Sequence, residues 1–463
     1  MTILRTAVWG RGRPVHSLHP LRSQRCWPGL ATRMLTALLA ALSAGMWPAA
    51  AESYGLYRAN LHVHTRYSRP AAWVFFASPM QGLPDNFPAL LPGTTFWASR
   101  RLLHLDCVGL SDHAESIGRT LLHFSMWTAE DKNAREVTAR GFVGLRGFEW
   151  TGDRFIHANA FGTDGYCGRA VSASGYQGDT AADLDAFWEW ASRQPPGIVL
   201  ELNHPWLWPK DGPNPLDAKV RDEVQLLEVS GGLHAGEAYG LPIFSFLTFL
   251  YQPIRVRGEG YYQLALRRGW HVAPTVGHDN FGPPTGATRQ YHTGIWATGS
   301  SQEAVLDALG HRRTFAAEDR EMRLWLAAQS QGRWYLMGDT LKTGGGDITV
   351  YAKSSDMADK YTTYLSDIEG KRVLVFPARG KVCGQSAVLS ADRIEQLPQS
   401  ARGERPVYLV LQRPGKNAPI AISAPLWLDT SPGDASGMET TRETVAAAAM
   451  PPFCQPRPQP NGP

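Results

Sequence analysis

Leu105–Glu115 reads LDCVGLSDHAE: a six-residue run, apolar apart from Asp106, then Ser-Asp-His-Ala-Glu. An apolar run this short, bounded by polar residues, reads as a buried β-strand over Leu105–Leu110, with Asp112 and His113 at its end. The arrangement recurs along the chain. Asn60–His64 (NLHVH) carries His62 and His64 on alternate residues, so one strand face holds both imidazoles. Gly144–Trp150 reads as a strand ending in Glu149-Trp150, and His157 follows eight residues after Glu149. Ile198–Leu202 precedes Asn203-His204-Pro205, and His271–Val276 precedes Gly277-His278-Asp279. Val224–Val229 is a further run and contains Glu228. Asp183–Ser192 (DLDAFWEWAS) and Glu303–Leu309 have helical spacing. Strands alternating with helices predict an α/β fold of parallel strands and crossover helices. In α/β barrels, functional groups collect at strand C-terminal ends, where these motifs fall.

After residue 320 the pattern changes. Met322–Ala328, Trp334–Met337, Asp347–Tyr351, Val373–Phe376, Val407–Gln412 and Ile420–Leu428 are short runs between Gly, Pro and polar turns, which predicts a small all-β, sandwich-like domain. From Ser431 the chain is rich in Pro, Gly and Thr and reads as a loose tail. The expected division is 1–51, 52–320, 321–430 and 431–463. Two insertions stand out, Arg69–Trp97, rich in Pro and aromatics, and the apolar Leu241–Tyr251, a core helix or a lid.

The formal charge of +4 belongs to the first segment. Residues 1–51 hold six arginines (Arg5, Arg11, Arg13, Arg22, Arg25, Arg33) and no acid; the other 40 basic residues face 42 acidic ones, a net of −2. No basic patch for nucleic acid remains. Arginines, an apolar run from Leu35 to Trp47 and Ala49-Ala50-Ala51 read as a cleavable export signal, placing the mature chain in a periplasmic or extracellular compartment with no stable membrane span. The alternative is a retained signal anchor, and a start at Met34 would discard every arginine of the signal. Beyond Cys26, the cysteines Cys107, Cys167, Cys383 and Cys454 show no CxxC spacing. A Cys383–Cys454 disulfide and buried free thiols both fit.

Taken singly, a His at a strand end is more often structural than a ligand, and a lone Asp or Glu there is often a helix cap. Five such sites in one α/β domain are hard to assign to caps. Imidazoles gathered with carboxylates are the ligand set of Zn, Mn or Fe.

The motifs HVHTRYS, LDCVGLSDHAE, GFEWTG with a following His, NHP and a closing G-x-D, in that order, resemble the PHP (polymerase and histidinol phosphatase) metallohydrolase superfamily. SDHAE, GFEWT and TGIWATGSSQEAVLDALGHRRTFAAED resemble its exported branch, and the relatives of carbaryl hydrolase share the layout. The resemblance covers roughly residues 54–320 and, weakly, the β-rich part. It implies a distorted (β/α)7 barrel with divalent metals, expected here as two per chain. By that resemblance His62, His64, Glu149 and Asp279 hold one metal. Glu149 bridges to a second held by His157 and His204, and His113 belongs to a third position.

Two departures fall on that third position. Where the family places an Asp or His after the HxH, this chain has Ser68-Arg69-Pro70; where it ends in D-x-H, this chain has Asp279-Asn280-Phe281. His278 is adjacent to Asp279, where a strand points it to the opposite face. In one reading two metals suffice and Arg69 supplies the missing positive charge by gripping an anionic phosphate. In the other the site has decayed and the protein binds without turnover. The first implies hydrolysis of a small-molecule phosphate ester by a metal-activated hydroxide. His113 is then the leaving-group acid, and Asp112 and Asn203 orient imidazoles. Carbamate or ester cleavage on the same metals is an alternative. So is an envelope-binding module using Trp325 and Trp334, although alternating aromatics more often form a sandwich core.

Overall fold

The computed structural model describes residues 54–68, 91–117, 126–152, 156–168, 179–181, 183–205, 208, 216, 222–231, 259–279, 291–354, 361–376, 384–415 and 419–431. The expected signal segment 1–51, Arg69, Pro70, Phe281, Cys383, Cys454, the Leu241–Tyr251 insertion and nearly all of the 431–463 tail lie outside these residues. Among the described residues no helix is long and apolar enough to cross a membrane. Cys107 and Cys167 are buried and joined in no disulfide among the described residues.

The first half runs β1 (Gly55–Val63), α1 (Pro92–Leu102), β2 (Cys107–Leu110), α2 (Ala114–Ile117), α3 (Met126–Thr138), β3 (Val143–Leu145), β4 (Gly147–Thr151) and β5 (His157–Phe161). It continues through the two-residue strands β6 (Cys167–Gly168) and β7 (Asp179–Thr180) to α4 (Leu184–Ser192), β8 (Val199–Leu202), β9 (Leu226–Gly231), α5 (Glu259–Arg267), β10 (Ala273–Gly277), β11 (His292–Ala297), α6 (Gln302–Gly310) and β12 (Thr314–Ala317). The two helices expected from periodicity form as α4 and α6. Each starts at a side-chain cap: Asp183 Oδ1 accepts from Ala186 N at 2.9 Å, and Ser301 Oγ from Ala304 N at 3.1 Å.

Two sheets build the site. One contains β12, β11, β1, β2 and β3 in that order; the other runs β10, β9, β8, β5, β4. They face each other closely enough for Asn159 on β5 to donate to the Leu61 carbonyl of β1 at 3.3 Å. They also meet at both margins. His113, just past β2, makes a parallel bridge with Glu149 on β4. On the other side Val276 N donates to Thr293 Oγ1 at 2.7 Å, Thr314 Oγ1 to the Pro274 carbonyl at 2.9 Å, and Asp279 N to the His62 carbonyl at 2.9 Å.

The fold is mixed α/β as the sequence predicts, but a (β/α)7 barrel of parallel strands is not what the described residues show. Pairs β1–β2, β2–β3, β8–β9 and β9–β10 are parallel; β1–β11, β4–β5 and β5–β8 are antiparallel. The reason is chain length. Residues 152–156 join β4 to β5, far fewer than the dozen or so that a parallel crossover needs. A second correction concerns Gly144–Trp150, expected as one strand. It breaks at Arg146 into β3 and β4, which enter different sheets. The Arg146 guanidinium lies 4.0 Å from the Trp127 ring centroid and donates to the Thr163 carbonyl at 2.9 Å. Those contacts turn the chain between the sheets.

The expected C-terminal runs all form strands, with Ile420–Leu428 divided into Pro419–Ser423 and Leu426–Asp429. Thr340–Lys342, Thr362–Asp367, Gly384–Leu389 and the helix Ala391–Glu395 are additional. Four strands (Leu324–Ser330, Arg333–Leu336, Ile348–Ser354, Gly384–Leu389) make an antiparallel sheet. Pro419–Ser423 instead pairs antiparallel with β12 and extends the larger sheet to eleven strands. Trp325 and Leu326 share one apolar core with Ile295, Trp296, Leu309 and Phe315.

Candidate metal centre

Glu149 is the hub. It sits on β4, buried to 1% exposure, with imidazoles around both carboxylate oxygens. His62 Nε2 is 3.2 Å from Oε1, and His157 Nδ1 is 3.0 Å from the same atom. His204 Nε2 is 3.6 Å from Oε1. His64 Nε2 and His113 Nδ1 lie 3.4 and 3.0 Å from Oε2. Asp279 adds a carboxylate 3.5 Å from His62 Nε2 and 3.0 Å from His64 Nε2. Strand alternation places His62 and His64 together as expected, 5.2 Å between ring centroids. His204 and Asp279 leave their strands with positive φ, 30° and 44°. Non-glycine residues held there store strain, a recurrent trait of functional sites.

Donor spacing tests whether a cation fits. Four ligands at about 2.1 Å around one ion stand roughly 3.4 Å from one another. The set His62, His64, Glu149 and Asp279 is spaced at 3.0–3.5 Å across the contacts given above. In the second set, Glu149 Oε1, His157 Nδ1 and His204 Nε2, the separations are 3.0, 3.6 and 3.1 Å. Both triads, His62–His64–Glu149 and Glu149–His157–His204, keep their ligand atoms within 4.8 Å of one another. Both ring nitrogens of His62 and Glu149 Oε2 are buried with no hydrogen-bond partner.

The proton inventory agrees. Asp112 accepts from Thr65 N and Thr65 Oγ1 at 2.6 Å and from Ser68 Oγ at 2.5 Å. With its hydroxyl proton given to Asp112, Ser68 Oγ accepts from His64 Nδ1 at 2.8 Å and from His113 N at 3.0 Å. His64 therefore carries its proton on Nδ1 and turns its Nε2 lone pair toward carboxylate oxygens of Asp279 and Glu149. Burial, then the charge of His113, lowers the His64 pKa, so the ring is neutral. A bare nitrogen against two carboxylates is repulsive unless a cation lies between them. Glu149 is the reverse case. Burial raises its pKa, but His62 and His157 outweigh burial and hold it well below the usual carboxylate range.

Every histidine and acid expected as a ligand converges here; Arg69 lies outside the described residues. Two expected roles are corrected. Asp112 touches no imidazole directly and acts through Ser68. Asn203 orients the Glu149 carboxylate instead, donating to its Oε1 at 2.9 Å. His278 turns away as expected and meets the Tyr291 carbonyl at 3.1 Å. The sequence left the role of Glu228 open; its Oε1 is 3.6 Å from His62 Nδ1 and its Oε2 accepts from His204 N at 2.5 Å. Asn159 and Glu201 went unnoticed, and Ser68 entered only as a departure from the family pattern, because a single Ser and polar residues inside short strands carry no ligand spacing.

Gly277 leaves room for this layer. A Cβ there would stand 2.7 Å from His62 Cβ and collide with the Glu228 carboxylate. Gly277→Ala is expected to cost about 1–3 kcal/mol, the usual range for overpacking, read from urea unfolding of the full chain.

No protein-family model and no curated protein matches the sequence. Among solved structures the chain is similar to a two-domain protein containing a predicted PHP-like metal-dependent phosphoesterase from Bacteroides vulgatus ATCC 8482, at 14% identity and a TM-score of 0.40, covering 81% of this chain and 96% of that one. It is also similar to PsfC from Pseudomonas syringae PB-5123, at 14% identity and a TM-score of 0.30, covering 55% of this chain and 87% of that one.

Proposed function

We propose that the protein is an exported metal-dependent hydrolase that cleaves phosphate esters with two divalent cations, Zn, Mn or Fe. His62, His64, Glu149 and Asp279 would hold one cation; Glu149, His157 and His204 would hold the other. The observation that carries this reading is one ionised, buried carboxylate shared by two donor sets with metal-ligand spacing. Bound there, the cations would supply Lewis acidity and a water acidified to hydroxide near neutral pH.

The protein's own groups do the rest. The His113 and His157 side chains are 25% and 18% exposed, whereas those of His62 and His64 are fully buried, so substrate approaches from the His113 and His157 side. Burial lowers the His113 pKa, but the Glu149 carboxylate, 3.0 Å from Nδ1, outweighs burial and raises it. His113 is assigned the proton delivered to a leaving alkoxide. Arg69, one residue past Ser68, is assigned the anionic phosphate. The arginine-rich leader and Ala49–Ala51 support export.

Elemental analysis of the purified chain should find about two transition metals, as a two-metal site requires. Fewer than one overturns the reading. The metal-loaded protein should hydrolyse an activated phosphate ester faster than an activated carboxylic ester or carbamate; the opposite preference reassigns the substrate class. Arg69→Ala should raise KM for the phosphate substrate by about tenfold, a lost charge-assisted contact of roughly 1.4 kcal/mol, and leave a neutral ester unaffected.

A further inference from the structure

A polar row runs from the centre into the interior. The antiparallel registers set Glu149 on β4 opposite Asn159 on β5, and Asn159 opposite Glu201 on β8. Directly opposed residues share one sheet face, so the three form a line. Asn159 and Glu201 are both wholly buried.

Hydrogen bonds run the length of the line. Asn203 Nδ2 donates to Glu149 Oε1 and to Asn159 Oδ1, both at 2.9 Å. Asn159 Nδ2 donates to Glu201 Oε2 at 2.9 Å and to the Leu61 carbonyl at 3.3 Å. The Thr275 hydroxyl donates to the other oxygen of Glu201.

An amide has distinguishable ends, one accepting and one donating. Glu201 and the Leu61 carbonyl both accept, so Asn159 must turn its NH2 toward them and its oxygen toward Asn203. Asn203 must then present its NH2 to Asn159 and to Glu149. Reversing either amide would set oxygen against oxygen. The far end of the row thus fixes which atom meets the bridging carboxylate.

We infer that Glu201 is a positioning residue that, through Asn159 and Asn203, holds Glu149 in the orientation serving both metal positions. This rests on the two-metal reading above and extends it to residues that contact no metal. The electrostatics show a cost: burial, then the charge of Glu228, pushes the Glu201 carboxyl up to about 7. An apolar side chain of similar size would avoid that cost, and a buried polar group partnered this fully gives specificity of arrangement rather than stability.

The test uses the full-length chain, stripped with chelator and titrated with Mn2+ by calorimetry, with elemental analysis after dialysis. Glu201→Leu should weaken Mn2+ binding by about 10- to 100-fold, the range for residues that orient ligands. Glu201→Gln should stay within about threefold of the parent, because its oxygen can face Asn159 while Thr275 turns to accept from its NH2. Asn159→Asp sets carboxylate against carboxylate and should weaken binding at least tenfold, the lower end of that range. Adding Glu201→Gln to Asn159→Asp offers the new acid a donor and should restore most of the loss, a rescue that a purely structural role does not produce. If Glu201→Leu fails to fold, this pair still decides. Parent-like Mn2+ binding in Glu201→Leu, or no rescue in the double variant, overturns the inference while two bound metals in the parent leave the two-metal reading intact. Fewer than one metal in the parent overturns the two-metal reading and, with it, this inference.

Discussion

Glu149→Ala should release metal from both positions and lower kcat/KM by at least about a thousandfold, since Lewis-acid stabilisation contributes several kcal/mol and each 1.36 kcal/mol is tenfold. The effect is large because one side chain serves both donor sets. Five imidazoles, those of His62, His64, His113, His157 and His204, lie 3.0–3.6 Å from its oxygens. Removing it would take a donor from each set and a carboxylate from beside every ring. Losing His157 alone should be milder, emptying the second position and sparing the first. Elemental analysis of both variants beside turnover of an activated phosphate ester checks the ordering. Two metals retained in Glu149→Ala would place the binding elsewhere.

Metal affinity should rise with pH by about tenfold per unit around neutrality, because binding expels one proton. Burial lowers the His62 pKa, but the nearby carboxylates of Glu149, Asp279 and Glu228 outweigh burial and leave it well above 6.5 in the metal-free protein. The proton must leave before Nε2 can bind a cation. Calorimetry in buffers of different ionisation enthalpy should count about one proton released at pH 7 on filling the first position. No release would contradict the assignment of His62. The signs for stability differ between the two partners. His62, with a raised folded pKa, stabilises the metal-free fold below about pH 6.5 and loses that contribution as pH rises through the raised value. Glu149, with a depressed pKa, contributes above about pH 4.3 and loses it as pH falls through the depressed value. Chelation should therefore lower Tm more as pH rises, because the metal-free fold loses the stabilising proton on His62.

The candidate ligands were legible because each obeys a local rule. Alternation pairs His62 with His64, and short apolar runs announce where His113, Glu149, His204 and Asp279 emerge. What joins them was less visible. The break at Arg146 is set by Trp127 and Thr163, which lie 19 and 17 positions away in the sequence. The antiparallel β4–β5 register aligning Glu149, Asn159 and Glu201 depends on a short connection; the eight-residue interval from Glu149 to His157 hinted at it, but alternating strands and helices suggested uniform parallel order. Thr340–Lys342, Thr362–Asp367 and Gly384–Leu389 were missed because short, polar strands resemble loops until a neighbour supplies their hydrogen bonds.

The pairing of β12 with Pro419–Ser423 has a consequence for how the protein is made. A chain is synthesised from its N-terminus, and about a hundred residues separate those two strands. Until the later strand arrives, the outer edge of β12 offers unpaired backbone groups to any passing strand. Every candidate ligand precedes β12 in the chain, yet the sheet beside them closes only after the strand Pro419–Ser423 has been made. A nascent chain released at residue 320 would carry every candidate ligand and a sticky margin, so aggregation should be its first defect.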